Sequence, residues 1–98
     1  MVQNKIKKNV LITGATSGIG EATAILLSKK YNLIICGRRE SRLSTLKDKL
    51  SKNTNVITLK FDVRDIDEVM DKIQRLPENW KKIDVLINNA GNAHGLDY

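Results

Sequence analysis

The feature that most constrains the fold is a regular alternation between short apolar runs and segments with helical spacing. The runs NVLITG, NLIICG, NVITLKF and IDVLIN are short and largely apolar, which is typical of strands buried on both faces. Helical spacing follows the first three runs, in residues 18–30, in ESRLSTLKDKL and after Asp65. The order predicts an α/β fold, a doubly wound parallel sheet of four strands with three helices on its two faces.

Each helical segment carries an apolar face, and two of them carry boundary signals. Lys29 and Lys30 are predicted to close the first helix, where positive charge complements the helix dipole. Asp65 is the predicted N-cap of the third helix, with Glu68 three residues later, and Pro77 marks the end of that helix. The predicted apolar faces are Ile19, Ala22, Thr23 and Leu26; Leu43, Leu46 and Leu50; and Ile66, Val69, Met70 and Ile73.

Size and composition limit the possible functions. The 98 residues are enough for one domain at most, and no apolar run approaches the roughly 18 residues of a membrane span. The lone cysteine, Cys36, excludes an internal disulfide and suits a reducing cytosol. The net charge of +6 is compatible with an alternative function as a basic nucleic-acid-binding domain, but the four aromatic residues offer little surface for base stacking.

Three of the six glycines lie within seven residues, between the first strand and the first helix. Gly14 stands where a buried strand must turn sharply, a place that favours the dihedral freedom of glycine. Gly18 begins the helix, where a missing side chain lets an anion approach the backbone N–H groups. Gly20, on the first helical turn, allows the helix to pack closely.

The spacing G-x-x-x-G-x-G therefore predicts a pyrophosphate site, to which Thr16 and Ser17 can add hydroxyl donors. It differs from the commoner G-x-G-x-x-G fingerprint. It is not a P-loop either, because Glu21 follows Gly20 where that motif requires Lys. The alternative is a glycine-rich turn that merely joins a strand to a helix.

The end of the second strand, CGRR, predicts which dinucleotide is bound. Dinucleotide sites usually place an acidic residue here to hold the ribose 2′-hydroxyl, but this chain has Gly37, Arg38 and Arg39. Guanidinium groups hold phosphate through paired hydrogen bonds, whereas a carboxylate repels it. We therefore expect NADP(H) rather than NAD(H). The alternative is two exposed arginines at a strand end.

Together these motifs resemble the short-chain dehydrogenase/reductase family, from about Asn9 to the end of the chain. TGATSGIG at 13–20 is similar to the family's glycine-rich motif, FDV at 61–63 to its adenine-contacting segment, and NNAG at 88–91 to its fourth-strand motif. The segments at 36–50 and 76–91 resemble the branch of NADP-dependent 3-hydroxy acid dehydrogenases, which act on serine-like substrates. The resemblance also implies strand order 3-2-1-4.

The resemblance implies a role for each candidate cofactor-binding residue. The pyrophosphate and adjoining ribose are contacted by Gly14, Ala15, Thr16, Ser17, Gly18, Ile19 and Gly20. Arg38 and Arg39 bind the 2′-phosphate, and Asp62 and Val63 contact the adenine. Asp62 has the alternative role of a helix-entry residue. The cofactor cleft is lined by Asn89, Ala90 and Gly91. No metal ligand is predicted.

The catalytic residues of the family have no counterpart in this sequence. Catalysis there uses a Tyr, a Lys four residues later and a Ser, the Lys helping the phenol to exchange a proton during hydride transfer. Ile35 stands four residues after Tyr31, and Tyr98 is the last residue. Residues 1–98 are therefore expected to be the N-terminal, cofactor-binding part of one Rossmann domain, inactive alone, whose fourth strand is left as an apolar edge.

The expected parent is a cytoplasmic oxidoreductase that transfers hydride between NADP(H) and an alcohol or carbonyl substrate, such as a short 3-hydroxy acid. It would act on a small molecule as a homodimer or tetramer, without nucleic-acid or membrane partners. The alternative is a stand-alone, non-catalytic NADP(H)-binding module.

Overall fold

Strands and helices alternate along residues 7–89, the part of the chain that the computed structural model describes. The strands are β1 (Asn9–Thr13), β2 (Asn32–Gly37), β3 (Val56–Lys60) and β4 (Val85–Asn88). The α-helices are α1 (Gly18–Leu27), α2 (Glu40–Leu50) and α3 (Ile66–Gln74), and a 3₁₀ helix spans Glu78–Trp80. All neighbouring strands are parallel in the order β3-β2-β1-β4, which confirms the predicted Rossmann-type fold and strand order.

Buried side chains line both faces of the sheet. Alternate strand residues such as Val10 and Ile12 pack with α1 and α2, while Leu11 packs on the opposite face with α3. Leu43, Leu46 and Leu50 of α2 are buried, as their spacing predicts. Cys36 is likewise fully buried, in the cluster on the α3 side. The continuous apolar runs follow from this arrangement, since a strand covered on both faces has little room for polar side chains.

The start of α3 has the predicted N-cap. The Asp65 carboxylate accepts a hydrogen bond from Glu68 N at 3.1 Å, and the helix begins at the next residue. The Glu68 carboxylate accepts from Asp62 N at 3.2 Å rather than from the cap residue itself. Glu68 thereby links the first turn of α3 to the end of β3.

The predicted end of α1 is wrong. The helix ends at Leu27, so Lys29 and Lys30 lie in the following turn instead of the last helical turn. After Ser28 the next two backbone bonds span three residues instead of four, from Lys29 N to Leu26 O at 3.5 Å and from Lys30 N to Leu27 O at 3.0 Å, and the buried Ser28 hydroxyl donates to Ile25 O at 2.7 Å. Such local side-chain bonds compete with continued helical bonding.

The apolar stripe predicted for α1 is also not the buried face. Gly20 and Ala24 are the buried residues of α1, whereas Ile19 and Leu26 are 68% and 65% exposed. Residues as small as Gly20 and Ala24 bring the helix backbone close to the sheet, and this close packing turns the larger side chains outward. The apolar face of α3 is divided in a similar way, with Val69 and Ile73 packed on the core and Ile66 and Met70 exposed.

An asparagine network ties the strands together at the amino edge of the sheet. The buried Asn9 side chain donates to Asn79 O at 3.1 Å and to Lys82 O at 3.0 Å, and accepts from Asn32 Nδ2 at 3.1 Å. These bonds border a polar groove of about 480 Å³. The network fixes the starts of β1, β2 and the segment that leads into β4.

Candidate functional site

The carboxyl ends of the strands form the edge where the predicted site residues meet. Backbone hydrogen bonds hold these ends in register: Ala15 N donates to Cys36 O at 3.1 Å, and Phe61 N donates to Gly37 O at 3.0 Å. β1 therefore ends beside β2, and β2 beside β3. Because β1 lies between β2 and β4, the strand order reverses at β1, which is the topological position where open α/β sheets bind ligands.

The glycines of the first turn have three different structural roles. Gly14 has φ of 63°, a left-handed conformation that side chains disfavour. A Cβ on Gly20 would lie 2.0 Å from Gly14 O, so only glycine lets α1 pack this closely on the turn. Among residues 7–89, a Cβ on Gly18 would meet nothing within 4 Å, so within that stretch the position is open.

The start of α1 leaves backbone donors exposed at that open space. The Ser17 hydroxyl accepts from Gly20 N at 3.2 Å and donates to Gly14 O at 2.8 Å, so it caps the helix and braces the turn. Within residues 7–89, Gly18 N and Ile19 N form no hydrogen bond. Two N–H groups at a helix start, beside a position without a side chain, suit an anion such as a pyrophosphate.

The end of β2 brings a hydroxyl and two cations to the same edge. The Thr16 hydroxyl lies 3.5 Å from where a Cβ on Gly37 would stand, so the glycine-rich turn and β2 are in contact. Arg38 and Arg39 follow directly, are exposed, and form no ion pair with any described residue. Two unpaired guanidinium groups here suit an additional phosphate better than an uncharged ribose.

The end of β3 carries an acidic residue with a strongly held carboxylate. Asp62 accepts hydrogen bonds from the Arg64 guanidinium, Nε to Oδ1 at 3.1 Å and Nη2 to Oδ2 at 2.8 Å. The Arg64 side chain and then its backbone N–H lower the pKa of Asp62 to about 2, with a smaller effect from Arg38. Asp62 borders an open groove of about 740 Å³, and the neighbouring Val63 is 37% exposed.

The end of β4 completes the described edge. Asn89 N donates to Thr13 O at 3.2 Å, and the Thr13 hydroxyl donates to Asn88 Oδ1 at 2.6 Å. The Asn89 side-chain nitrogen is buried and has no partner among residues 7–89. Ala90 and Gly91, also predicted to line the cleft, lie outside the described residues.

This edge fits a dinucleotide that carries an extra phosphate. The open position at Gly18 admits an anion, the two arginines supply unpaired positive charge, and Asp62 supplies an acceptor one strand further along. The asparagine groove is less suitable, because its amides already bond to one another and to backbone carbonyls. Sequence reasoning missed Arg64, although an arginine two residues after Asp62 in the turn after a strand was a visible signal.

Metal-binding clusters and membrane-spanning helices are both absent from residues 7–89. Residues 7–89 contain no group of three or more His, Cys, Asp or Glu side chains arranged to hold a metal ion. The helices of the same stretch include none with the length and apolar character needed to cross a bilayer.

Comparison with known proteins gives a family match over most of the chain. The family model for short chain dehydrogenases matches residues 8–97. The NADP-dependent 3-hydroxy acid dehydrogenase YdfG of Salmonella typhi is 45% identical over 89 residues, which cover 90% of this chain and 35% of that protein. A probable NADP-dependent dehydrogenase of Dichelobacter nodosus is 46% identical over 87 residues, covering 88% of this chain and 80% of that protein.

A solved structure agrees with the sequence matches. The closed form of serine dehydrogenase complexed with NADP⁺ superposes with a TM-score of 0.73 and 37% identity, over 80% of this chain and 31% of that one. The chain thus spans about a third of the length of the Salmonella relative and of this structure. The family match at residues 8–97 includes the strands and helices that position the candidate site.

Proposed function

Because the chain belongs to the short-chain dehydrogenase family, we propose that it forms the NADP(H)-binding portion of an oxidoreductase acting on an alcohol or carbonyl substrate. The comparisons support NADP(H) as the cofactor, since similar proteins are named NADP-dependent and a similar structure is a complex with NADP⁺. When bound, the nicotinamide supplies hydride chemistry, and the residues of this chain hold and orient the nucleotide.

The observation that carries this proposal is the open space at Gly18. It leaves the N–H groups of Gly18 and Ile19 accessible to a pyrophosphate, while Ser17 keeps the helix start rigid through its two hydrogen bonds. Arg38 and Arg39 would hold the 2′-phosphate, because both are exposed and unpaired in the described part of the chain. The backbone donors belong to the first turn of α1, which lowers the conformational cost of binding.

The remaining contacts extend the proposal to the adenine and to the cleft. Asp62 would accept from the adenine amino group, with Val63 beside it as an exposed apolar contact. Asn89 would face the cofactor cleft, together with Ala90 and Gly91. The buried nitrogen of Asn89 supports this role, since a buried donor is costly unless it finds an acceptor.

The substrate and the catalytic groups form a finer part of the proposal. Short 3-hydroxy acids such as serine are the proposed substrates, supported by the names of the similar dehydrogenases. The catalytic Ser, Tyr and Lys are assigned to polypeptide outside residues 1–98, and the proposed enzyme is a homo-oligomer. A cytoplasmic location is also proposed, because Cys36 is a buried free thiol.

A pair of double variants tests the cofactor assignment. Arg38→Ala with Arg39→Ala should weaken NADPH binding by at least roughly tenfold and leave NADH binding almost unchanged, because only NADPH carries the 2′-phosphate. Lys29→Ala with Lys30→Ala is the matched control, since it removes an adjacent exposed pair of positive charges after the far end of α1. Isothermal calorimetry gives both affinities. Equal losses for the two nucleotides would overturn the assignment.

A further inference from the structure

The carboxylate of Asp62 is held by three hydrogen bonds from one residue. Arg64 donates its backbone N–H to Oδ1 at 2.9 Å, its Nε to Oδ1 at 3.1 Å and its Nη2 to Oδ2 at 2.8 Å. The two residues are only two positions apart, in the turn between β3 and α3. This arrangement fixes both the position of the carboxylate and the plane in which it lies.

Stability alone is a weak reason for such a pair. The Arg64 side chain is 76% exposed and that of Asp62 is 33% exposed, and exposed ion pairs contribute little to stability. Arg75 and Asp71 form an ordinary surface pair on α3, with a single bond of 2.9 Å and an equally exposed arginine. The contrast lies in geometry, since only the Asp62 carboxylate is held at both oxygens.

The bonding leaves one oxygen of Asp62 with spare capacity. A carboxylate oxygen has two lone pairs, and both on Oδ1 are used by the backbone and Nε donors of Arg64. Oδ2 accepts only from Nη2 within the described chain, so one lone pair remains on it. The aligned carboxylate therefore presents a single free acceptor at the carboxyl edge of the sheet.

We propose that Arg64 is a positioning residue that orients Asp62 so that Oδ2 accepts a hydrogen bond from the exocyclic amino group of an adenine. This inference rests on the proposed NADP(H) function and adds to it the residue that sets the preference for adenine. An amino group donates to a carboxylate, whereas a carbonyl oxygen in the same place repels it. Arg64 acts through Asp62 and makes no contact with the cofactor itself.

The test compares NADPH with its hypoxanthine analogue, in which a carbonyl replaces the adenine amino group. The wild-type chain should prefer NADPH, and Arg64→Ala should reduce that preference by roughly tenfold, the value of one charge-assisted hydrogen bond. Arg64→Lys should restore only part of it, because an ammonium group cannot form the two-point contact. Arg75→Ala is the matched control and should leave the preference unchanged.

The other outcomes are distinguishable. An unchanged preference in Arg64→Ala, or tighter NADPH binding by that variant, would overturn the positioning role, the latter because Arg64 would then compete with adenine. If Arg64→Ala lowered the affinity for NADPH more than the affinity for NADH, the positioning role would also be overturned, because such a difference indicates direct contact with the 2′-phosphate. Failure of the wild-type chain to bind any of these nucleotides would instead remove the proposed function, and the adenine role with it.

A measurement without cofactor tests the orienting contact separately. Carbon-detected NMR should give Asp62 a pKa of about 2 in the wild-type chain and a value closer to the ordinary 3.8 in Arg64→Ala. The other charged groups near this carboxylate are Arg38 from the end of β2 and Glu68, Asp65 and Asp67 from the start of α3. An Asp62 pKa that does not respond to Arg64→Ala would overturn the inference whatever the nucleotide affinities.

Discussion

Gly18→Ala and Gly20→Ala should differ in their effect on the melting temperature of the protein, although the two glycines lie within one helical turn. A Cβ on Gly20 would be 2.0 Å from Gly14 O, 2.9 Å from Gly14 C and 3.0 Å from Ala15 Cα. All three atoms belong to the backbone, so no side chain can rotate away to relieve the overlap. A Cβ on Gly18 meets nothing within 4 Å in the described part of the chain, and it would lie in the space proposed for the pyrophosphate.

The size of the Gly20→Ala effect follows from this overlap. Carbon atoms in contact are about 3.5 Å apart, so helix and turn must separate by more than ~1 Å. Overpacking of this kind costs roughly 1–3 kcal/mol, and a rigid backbone neighbour argues for the upper end. The higher helix propensity of alanine stabilises the folded state by at most about 1 kcal/mol, so the free energy of unfolding should fall by about 2 kcal/mol. For a chain of this size that loss lowers Tm by roughly 8–16 °C.

Thermal unfolding followed by circular dichroism, together with NADPH titration at a temperature where every variant is folded, separates the two effects. Gly18→Ala should melt at or slightly above the wild-type temperature and bind NADPH more weakly, because its methyl group would occupy the space proposed for the pyrophosphate. Gly20→Ala should melt at a lower temperature. Wild-type NADPH affinity in Gly18→Ala, or a wild-type Tm in Gly20→Ala, would refute this reasoning.

Three other perturbations test the supporting structure. Asn9→Ala should lower the free energy of unfolding, measured by chemical denaturation, by about 2 kcal/mol, because it leaves two backbone carbonyls at the amino edge without their donor. Asp65→Ala should cost about 1 kcal/mol through loss of the N-cap, and Asp65→Ser should recover most of it. Burial raises the pKa of the Cys36 thiol from 9.0 to about 12, so the folded protein should resist thiol reagents at neutral pH. Because this pKa is raised in the folded state, the thiol's contribution to stability should be complete below pH 9.0 and decline from there to about 12.

The sheet could be predicted from the sequence because its signals are local and agree with one another. Four apolar runs, separated by helical spacing, leave few alternatives to a parallel sheet. The left-handed Gly14 and the tight contact at Gly20 also follow from a strand that turns directly into a helix. The strand order, in contrast, came only from the family resemblance, because periodicity does not record which strands are neighbours.

The details that sequence reasoning missed depend on contacts between segments or on side-chain geometry. Periodicity identified the apolar stripe on α1, but it could not indicate that Gly20 and Ala24 are the residues that face the sheet. Lysines near the end of a helix favour its C-terminus, yet α1 ends at Leu27 and two of the next backbone bonds span three residues. Arg64 stands visibly two residues after Asp62 in the sequence, but the hydrogen bonds to both oxygens of Asp62 depend on the shape of the turn after β3, which residue spacing alone does not give.

The exposed strand β4 gives a last prediction, about association of the 98-residue chain. Leu86 is 63% exposed and Val85 41% exposed, and within the described residues β4 pairs only with β1. An apolar edge strand with free backbone groups favours pairing with another chain. Sedimentation velocity should therefore show concentration-dependent association that Leu86→Lys reduces. Leu26→Lys is the matched control, since Leu26 is 65% exposed but lies on α1. If Leu26→Lys prevents association and Leu86→Lys does not, the contact runs through the helix and β4 is not the reactive edge.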